Sequence, residues 1–247
     1  DPARVARYAM DDVRETGAIA NILSPSYFYQ TQLLPMSYQN CVVRGNATRI
    51  DALLVADYLA AGAALPVPEH PQPFAGALTD AFVAGVRHNV WHCDVRSLYP
   101  SIILAERWTP VRDHRGAFPC LLASLRDFRL AAKAAEQRAV PGSAERAAAN
   151  ALQTTFKILI NSFYGYLGFA QGTFNDFAMA ARVTARGREI LTAMRRFLEQ
   201  AGAIVLEMDT DGIYFQPPSG ETDPAKFATR LQAALPSGIE VELDAIY

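Results

Sequence analysis

Asp209-Thr210-Asp211 lies inside an apolar run, with Ala203-Ile204-Val205-Leu206 before it and Ile213-Tyr214-Phe215 after it. Carboxylates in apolar strand sequence are costly unless they are paired or bind a metal. Residues i and i+2 of a strand point to one face, so an extended segment would project both acids together, which suits a divalent cation. A solvated hairpin tip is the alternative for so short a pattern. Asp94 opens a second segment, Asp94-Val95-Arg96-Ser97-Leu98-Tyr99-Pro100-Ser101-Ile102. A third reads Lys157-Ile158-Leu159-Ile160-Asn161-Ser162-Phe163-Tyr164-Gly165. Its Lys157, Asn161 and Tyr164 fall at i, i+4 and i+7, one face of a helix, and Gly165 lets the backbone be approached closely. Arg129 and Lys133 are also spaced i, i+4. The competing readings are a solvated lysine with a buried tyrosine in the first pattern, and exposed basic residues on an alanine-rich helix in the second.

The elements that must position these residues follow from periodicity. Residues 1–23 read as a helix, broken at Ser24-Pro25-Ser26, and a second helix runs from an Asn46-Ala47-Thr48 cap to Ala61-Gly62. Four prolines between Leu65 and Phe74 make a linker. Strands are predicted at 81–86 and 89–95, the second leading into Asp94. Helices at 121–140 and 144–164, separated by Pro141-Gly142-Ser143, form an antiparallel hairpin. A helix over 177–201 ends at Gly202. Strands at 203–208 and 213–216 flank the tip at 209–212. A helix at 224–235 and a strand at 239–243 close the chain. Strands and helices mix without a βαβ rhythm, so the class is α+β.

The chain has 247 residues, 51% of them hydrophobic and 19% charged, enough to bury a real core. No apolar run reaches the length of a membrane span, and no signal-peptide pattern opens the chain. Cys41, Cys93 and Cys120 lack metal spacing and fit a reduced, cytoplasmic protein. The basic residues are nearly all arginine, a hint of a GC-rich bacterial genome. A net charge of −2 does not advertise a nucleic-acid binder. The distribution says more: 107–157 is rich in Arg and Lys, whereas the final stretch holds Glu207, Asp209, Asp211, Glu240, Glu242 and Asp244. Basic groups for phosphates and acidic groups for metals are what nucleotidyl transfer needs.

In order and spacing, the segments at Asp94, Lys157 and Asp209 resemble the three polymerase motifs of family B DNA polymerases, and the resemblance covers most of the chain from about Phe74 onward. It implies an antiparallel-sheet palm with packed helices and a two-helix fingers hairpin. The implied boundaries are 1–65 for the end of an exonuclease domain with connecting helices, 66–118 and 167–247 for the palm, and 119–166 for the fingers. The implied activity is template-directed addition of dNTPs to a primer 3′-hydroxyl, with two Mg²⁺ ions, or Mn²⁺ in their place, about 3.5–4 Å apart. Asp94 and Asp211 would bridge both ions, Asp209 would lie close by, and Asp244 or Glu242 would be an accessory acid. Tyr99 would pack under the sugar and exclude a 2′-hydroxyl, its ring fixed in extended or turn geometry by Pro100. Ser97 and Leu98 would offer amides to the triphosphate. Arg129, Lys133, Lys157 and Asn161 would bind the nucleotide and its phosphates, and Tyr164 and Gly165 would lie against the nascent base pair. The implied partners are primer-template DNA and dNTPs, with a sliding clamp for a full-length parent, at the nucleoid and not at a membrane.

Tyr8-Ala9-Met10-Asp11-Asp12 resembles the last exonuclease motif, Y-x3-D, and Phe74-Ala75-Gly76-Ala77 is a partial match to Y-x-G-[GA], with Phe for Tyr. The third polymerase motif normally reads Y-G-D-T-D-S; here Glu207-Met208 precedes the acids and Gly212 follows them. The family's K-x-Y element and thumb would come after Tyr247, so the resemblance reads this chain as a fragment. Two other classes compete: a non-catalytic remnant that binds DNA or nucleotide, and a different two-metal enzyme, a nuclease or cyclase, built on Asp94 and Asp211.

Overall fold

The computed structural model describes residues 1–247. In chain order it contains α1 (Pro2–Leu33), α2 (Tyr38–Val43), α3 (Asn46–Ala60), β1 (Thr79–Ala81), β2 (Trp91–Val95), α4 (Leu98–Ala105), α5 (Ala117–Arg138), α6 (Ala144–Leu167), α7 (Phe177–Gln200), β3 (Ile204–Asp209), β4 (Gly212–Gln216), α8 (Pro224–Ala233) and β5 (Val241–Ile246). The class is α+β, as the mixed pattern predicts. Two compact units form, one of Asp1–Leu65 with Ala123–Ser162, the other of Pro66–Leu122 with Phe163–Tyr247.

The second unit is built on a five-stranded sheet in the order β1-β3-β4-β2-β5, with every pairing antiparallel. Strand side chains alternate between faces. Trp91, Cys93 and Val95 of β2, Ile213 and Phe215 of β4, and Val205 and Met208 of β3 form one buried core with Ile190, Leu191, Met194 and Leu198 of α7 and Phe227 and Leu231 of α8. The opposite face carries the polar alternates of the same strands. α7 begins where Asp176 accepts from the Met179 amide at 2.7 Å, a capping bond that satisfies an orphan helix donor. It stops before Gly202, whose φ of +88° suits a residue without Cβ. α5 starts with Asp113 accepting the amides of Ala117 and Phe118 at 3.1 and 2.7 Å.

In the first unit α1 runs through Pro25 to Leu33, ten residues beyond the predicted helix end at Leu23. Proline removes one helical hydrogen bond there, and side-chain hydrogen bonding offsets the loss. Thr155 of α6 donates to the Ser26 carbonyl at 3.1 Å and lies 2.9 Å from the Ser26 hydroxyl. The cap of α3 is Gly45 and not Asn46, whose side-chain oxygen accepts instead from Arg49 at 2.6 Å. The short α2 had no sequence signal.

Two strands are shifted from their predicted positions. β1 covers 79–81 in place of 81–86, because the amides of Phe82 and Val83 both donate to the single Leu206 carbonyl and the ladder ends there. β5 covers 241–246 in place of 239–243. It pairs with β2 through a bulge between His92 and Cys93, while Ile239 is buried in the core ahead of the strand.

Candidate active site

Asp94 lies on the open face of β2, in register with Gly212 of β4 on one side and Glu242 of β5 on the other. Asp209 ends β3, and Asp211 sits in the two-residue turn to β4. This is the hairpin tip predicted at 209–212, so the conditional arrangement of an extended segment with both acids on one strand face does not apply: the chain reverses between them. Thr210 takes a left-handed φ of +55°, an outlier for a β-branched residue. Three bonds hold it there. Its amide donates to the Leu78 carbonyl at 3.0 Å, its hydroxyl lies 3.1 Å from Asp209 Oδ1, and the Asp211 amide donates to the Asp209 carbonyl at 2.6 Å. The Asp211 carbonyl in turn accepts from the Val95 amide at 2.9 Å, which ties the turn to the end of β2.

The acids interact. Burial, and next the charge of Asp211, push the Asp94 carboxyl up to about 6, with smaller upward contributions from Asp244 and Glu242 and a downward one from His92. Burial and then Asp209 raise Asp211, against its own backbone hydrogen bond and His92. One Asp94 oxygen, Oδ1, is buried without a hydrogen-bond partner. A buried, unpartnered carboxylate oxygen facing like charge is a costly state that a cation relieves. No group of three or more His, Cys, Asp or Glu side chains closes into a ready metal cage. The donor set is a carboxylate pair with a third acid at its edge, and it fits a hard cation that draws its remaining oxygens from substrate and water.

Glu242 and Asp244, the alternatives for an accessory acid, have partners of their own. Arg96 donates to Glu242 at 2.6 and 3.1 Å and to Glu240 at 2.9 Å. His92 Nδ1 lies 3.1 Å from Asp244 Oδ2. Sequence reasoning passed over His92 and Arg96; the signal available was their strand alternation with Asp94.

Ser97 has a left-handed φ of +48° and caps α4. Leu98 is buried, so only its backbone is available to a ligand. Tyr99 is helical, in the first turn of α4, and not extended as Pro100 had suggested. Pro100 fits there because first-turn amides have no partner within the helix. The Tyr99 ring packs on Tyr164 with centroids 4.3 Å apart. Burial, and then Tyr164 and Asp211, push the Tyr99 phenol up to about 12, keeping it neutral. Arg188 of α7 acts electrostatically on both tyrosines and donates to the Gly76 carbonyl at 2.5 Å, while Thr184 donates to Ala75 at 2.9 Å. The partial Phe74-Ala75-Gly76-Ala77 motif is thereby fixed to α7. Gly165 is exposed, and a Cβ on it would meet no atom within 4 Å.

The second unit thus brings together Asp94, Asp209, Asp211, Tyr99 and Tyr164. The remaining candidates belong to the first unit: Arg129 and Lys133 one turn apart on α5, and Lys157 and Asn161 one turn apart on α6. Lys133, Lys157 and Asn161 are exposed. Phe128 and Phe156, at 5.8 Å between centroids, join these two helices.

Residues 106–226 match the family described as DNA polymerase family B, a stretch that holds α5, α6, α7 and Asp211 and begins after Asp94. The chain is 29% identical over 266 residues to a DNA polymerase of Archaeoglobus fulgidus, covering 99% of this chain and 34% of that protein. It is 27% identical over 278 residues to a DNA polymerase of Thermococcus gorgonarius, covering 99% and 36%. These relatives are archaeal, and the chain spans about a third of their length. The structure of the family B DNA polymerase from the hyperthermophilic archaeon Pyrobaculum calidifontis has the same fold over 100% of this chain and 36% of that one, with a TM-score of 0.77 at 24% identity. By the segment that matches the family and by its relatives, the chain is similar to DNA polymerases of family B, and it shares the fold of one.

Proposed function

We propose that the chain is the catalytic module of a DNA-directed DNA polymerase, adding dNTPs to a primer 3′-hydroxyl opposite a template. The observation that carries this reading is the partly buried Asp94–Asp211 pair, drawn from sequence-distant segments and left with an unpartnered Asp94 oxygen. Asp94 and Asp211, with Asp209 at the edge, would hold divalent ions, Mg²⁺ by the all-oxygen donor set and Mn²⁺ as its substitute. Bound there, the ions supply charge stabilisation to the attacking and leaving oxygens. Tyr99, neutral and braced by Tyr164, excludes a sugar that carries a 2′-hydroxyl. The amides at Ser97 and Leu98, at the start of α4, would donate to phosphate oxygens. Arg129, Lys133, Lys157 and Asn161 are the nucleotide-binding groups, and Tyr164 and Gly165 contact the nascent pair. Primer-template DNA and dNTPs are the substrates, which places the work at the nucleoid, with a clamp as partner of a full-length polymerase.

Primer extension at low salt with Mg²⁺ or Mn²⁺, wild type beside Asp94→Asn and Asp211→Asn, tests this. Extension in wild type that vanishes in both variants is expected. Absence of both extension and metal-dependent dNTP binding in wild type would leave a non-catalytic remnant. Metal-dependent cleavage without nucleotide would point to a nuclease.

A further inference from the structure

Gly212 occupies a tight position. It follows Asp211 in the chain and stands opposite Asp94 in the sheet. A Cβ on Gly212 would collide with Nε2 of His92 and would come within 3.4 Å of Cδ2 and Cε1. His92 precedes Asp94 by two residues, so both project from the same face of β2. Its ring is held on three sides. It stacks on Tyr214 at 4.1 Å with planes 12° apart, Nδ1 meets Asp244 at 3.1 Å, and the Nε2 edge fills the space left by the missing Gly212 side chain. Its side chain is only 11% exposed. The imidazole therefore cannot swing aside at low cost when residue 212 gains an atom.

We infer that His92 is a positioning residue for the Asp94–Asp211 carboxylate pair and that Gly212 is the socket that admits its ring. This rests on the proposed reading of that pair as a divalent-cation site. His92 and the two acids do not close into a cage, so the imidazole acts from beside the pair. It stands on the open face of β2 against Gly212, the residue that follows Asp211 and lies opposite Asp94. Asp244, on β5, is the anchor that orients the ring. Outer groups that orient metal-binding side chains change affinity by about 10–100-fold when lost. The Gly212 position, a departure from the serine of the family motif, is thereby coupled to a residue 120 positions earlier in the chain.

The test is Mn²⁺ titration of the full chain, followed by electron paramagnetic resonance at fixed pH, with thermal unfolding as the check on fold. Gly212→Ser should weaken Mn²⁺ binding about tenfold or more. Adding His92→Asn to it should recover most of that loss, because the shorter amide keeps an N–H for Asp244 and vacates the space of Nε2. Should Gly212→Ser unfold the chain, recovery of fold in the double variant supports the same socket. Wild-type binding with an indifferent Gly212→Ser, or a double variant no better than the single, overturns the inference alone. Absence of Mn²⁺ binding in wild type overturns it together with the metal-site reading.

Discussion

At Asp94 the needs of folding and of the proposed chemistry oppose one another. Its carboxyl is raised to about 6 in the folded chain, while an unfolded aspartate titrates near about 3.9. Between those values the folded state binds the extra proton, so stability falls as pH rises through the interval and stays low above it. Asp94→Asn removes that cost. At pH 7.5 without divalent metal, Asp94→Asn should melt about 2–4 °C above wild type, equivalent to about 1 kcal/mol once solvent screening is allowed for. The gap should narrow toward pH 4, and millimolar Mg²⁺ should stabilise wild type more than the variant. A melting difference independent of pH would remove burial and repulsion at Asp94 as its cause. Asp94, Asp209 and Asp211 were legible in the sequence because acids in apolar strand text are conspicuous. The hairpin tip at 209–212 was legible too, but the left-handed backbone at Thr210 was not, since a β-branched residue resists that conformation. Nor was His92, whose partner Asp244 lies 152 residues away across a bulge.

Helix α7 shapes the site without supplying an acid. A Cβ on its Gly187 would stand 3.0 Å from Tyr99 Cε1 and 3.4 Å from Leu98 Cδ2, so the glycine lets α4 lie close enough for Tyr99 to reach Tyr164. Gly187→Ala gains about 1 kcal/mol of helix propensity and loses about 1–3 kcal/mol to overpacking. The expected net is a loss of up to about 2 kcal/mol in urea unfolding, with a raised KM for dNTP as the Tyr99 ring shifts. Stabilisation by the full propensity gain, with KM unchanged, would mean that the contact does not set the ring. α5, α6, α7 and the β3–β4 hairpin were legible because their apolar periodicity is long and their ends carry Asp, Gly or Pro signals. Elements decided by distant partners were not. α1 continues through Pro25 where Thr155 bonds the Ser26 carbonyl and hydroxyl, and β1 is placed by its pairing with β3, as Thr79↔Asp209 through Ala81↔Glu207. β5 likewise took its register from β2.

Over the whole molecule, the net charge is −2, and the open sheet face bears Asp94, Glu207, Asp209, Glu242 and Asp244. Such a face repels a phosphate backbone. On the proposed reading, exposed arginines and lysines would provide the attraction, and that attraction would weaken as counterions compete, with log K falling by roughly 0.9 per neutralised phosphate for each unit of log salt. The two effects respond oppositely to added ions when those ions are divalent and bind the acids. Monovalent salt should therefore lower primer-template affinity throughout, whereas Mg²⁺ added at constant ionic strength should raise it in wild type. In Asp94→Asn/Asp211→Asn the metal-free affinity should be higher than wild type, because two negative charges are gone, and the Mg²⁺ gain should be largely abolished. Fluorescence anisotropy with a labelled primer-template measures all four conditions. If Mg²⁺ lowers wild-type affinity as an equivalent amount of monovalent salt does, the acidic face does not gather cations on DNA. The carboxylate pair would then be an inherited strain in the fold and not a working metal site.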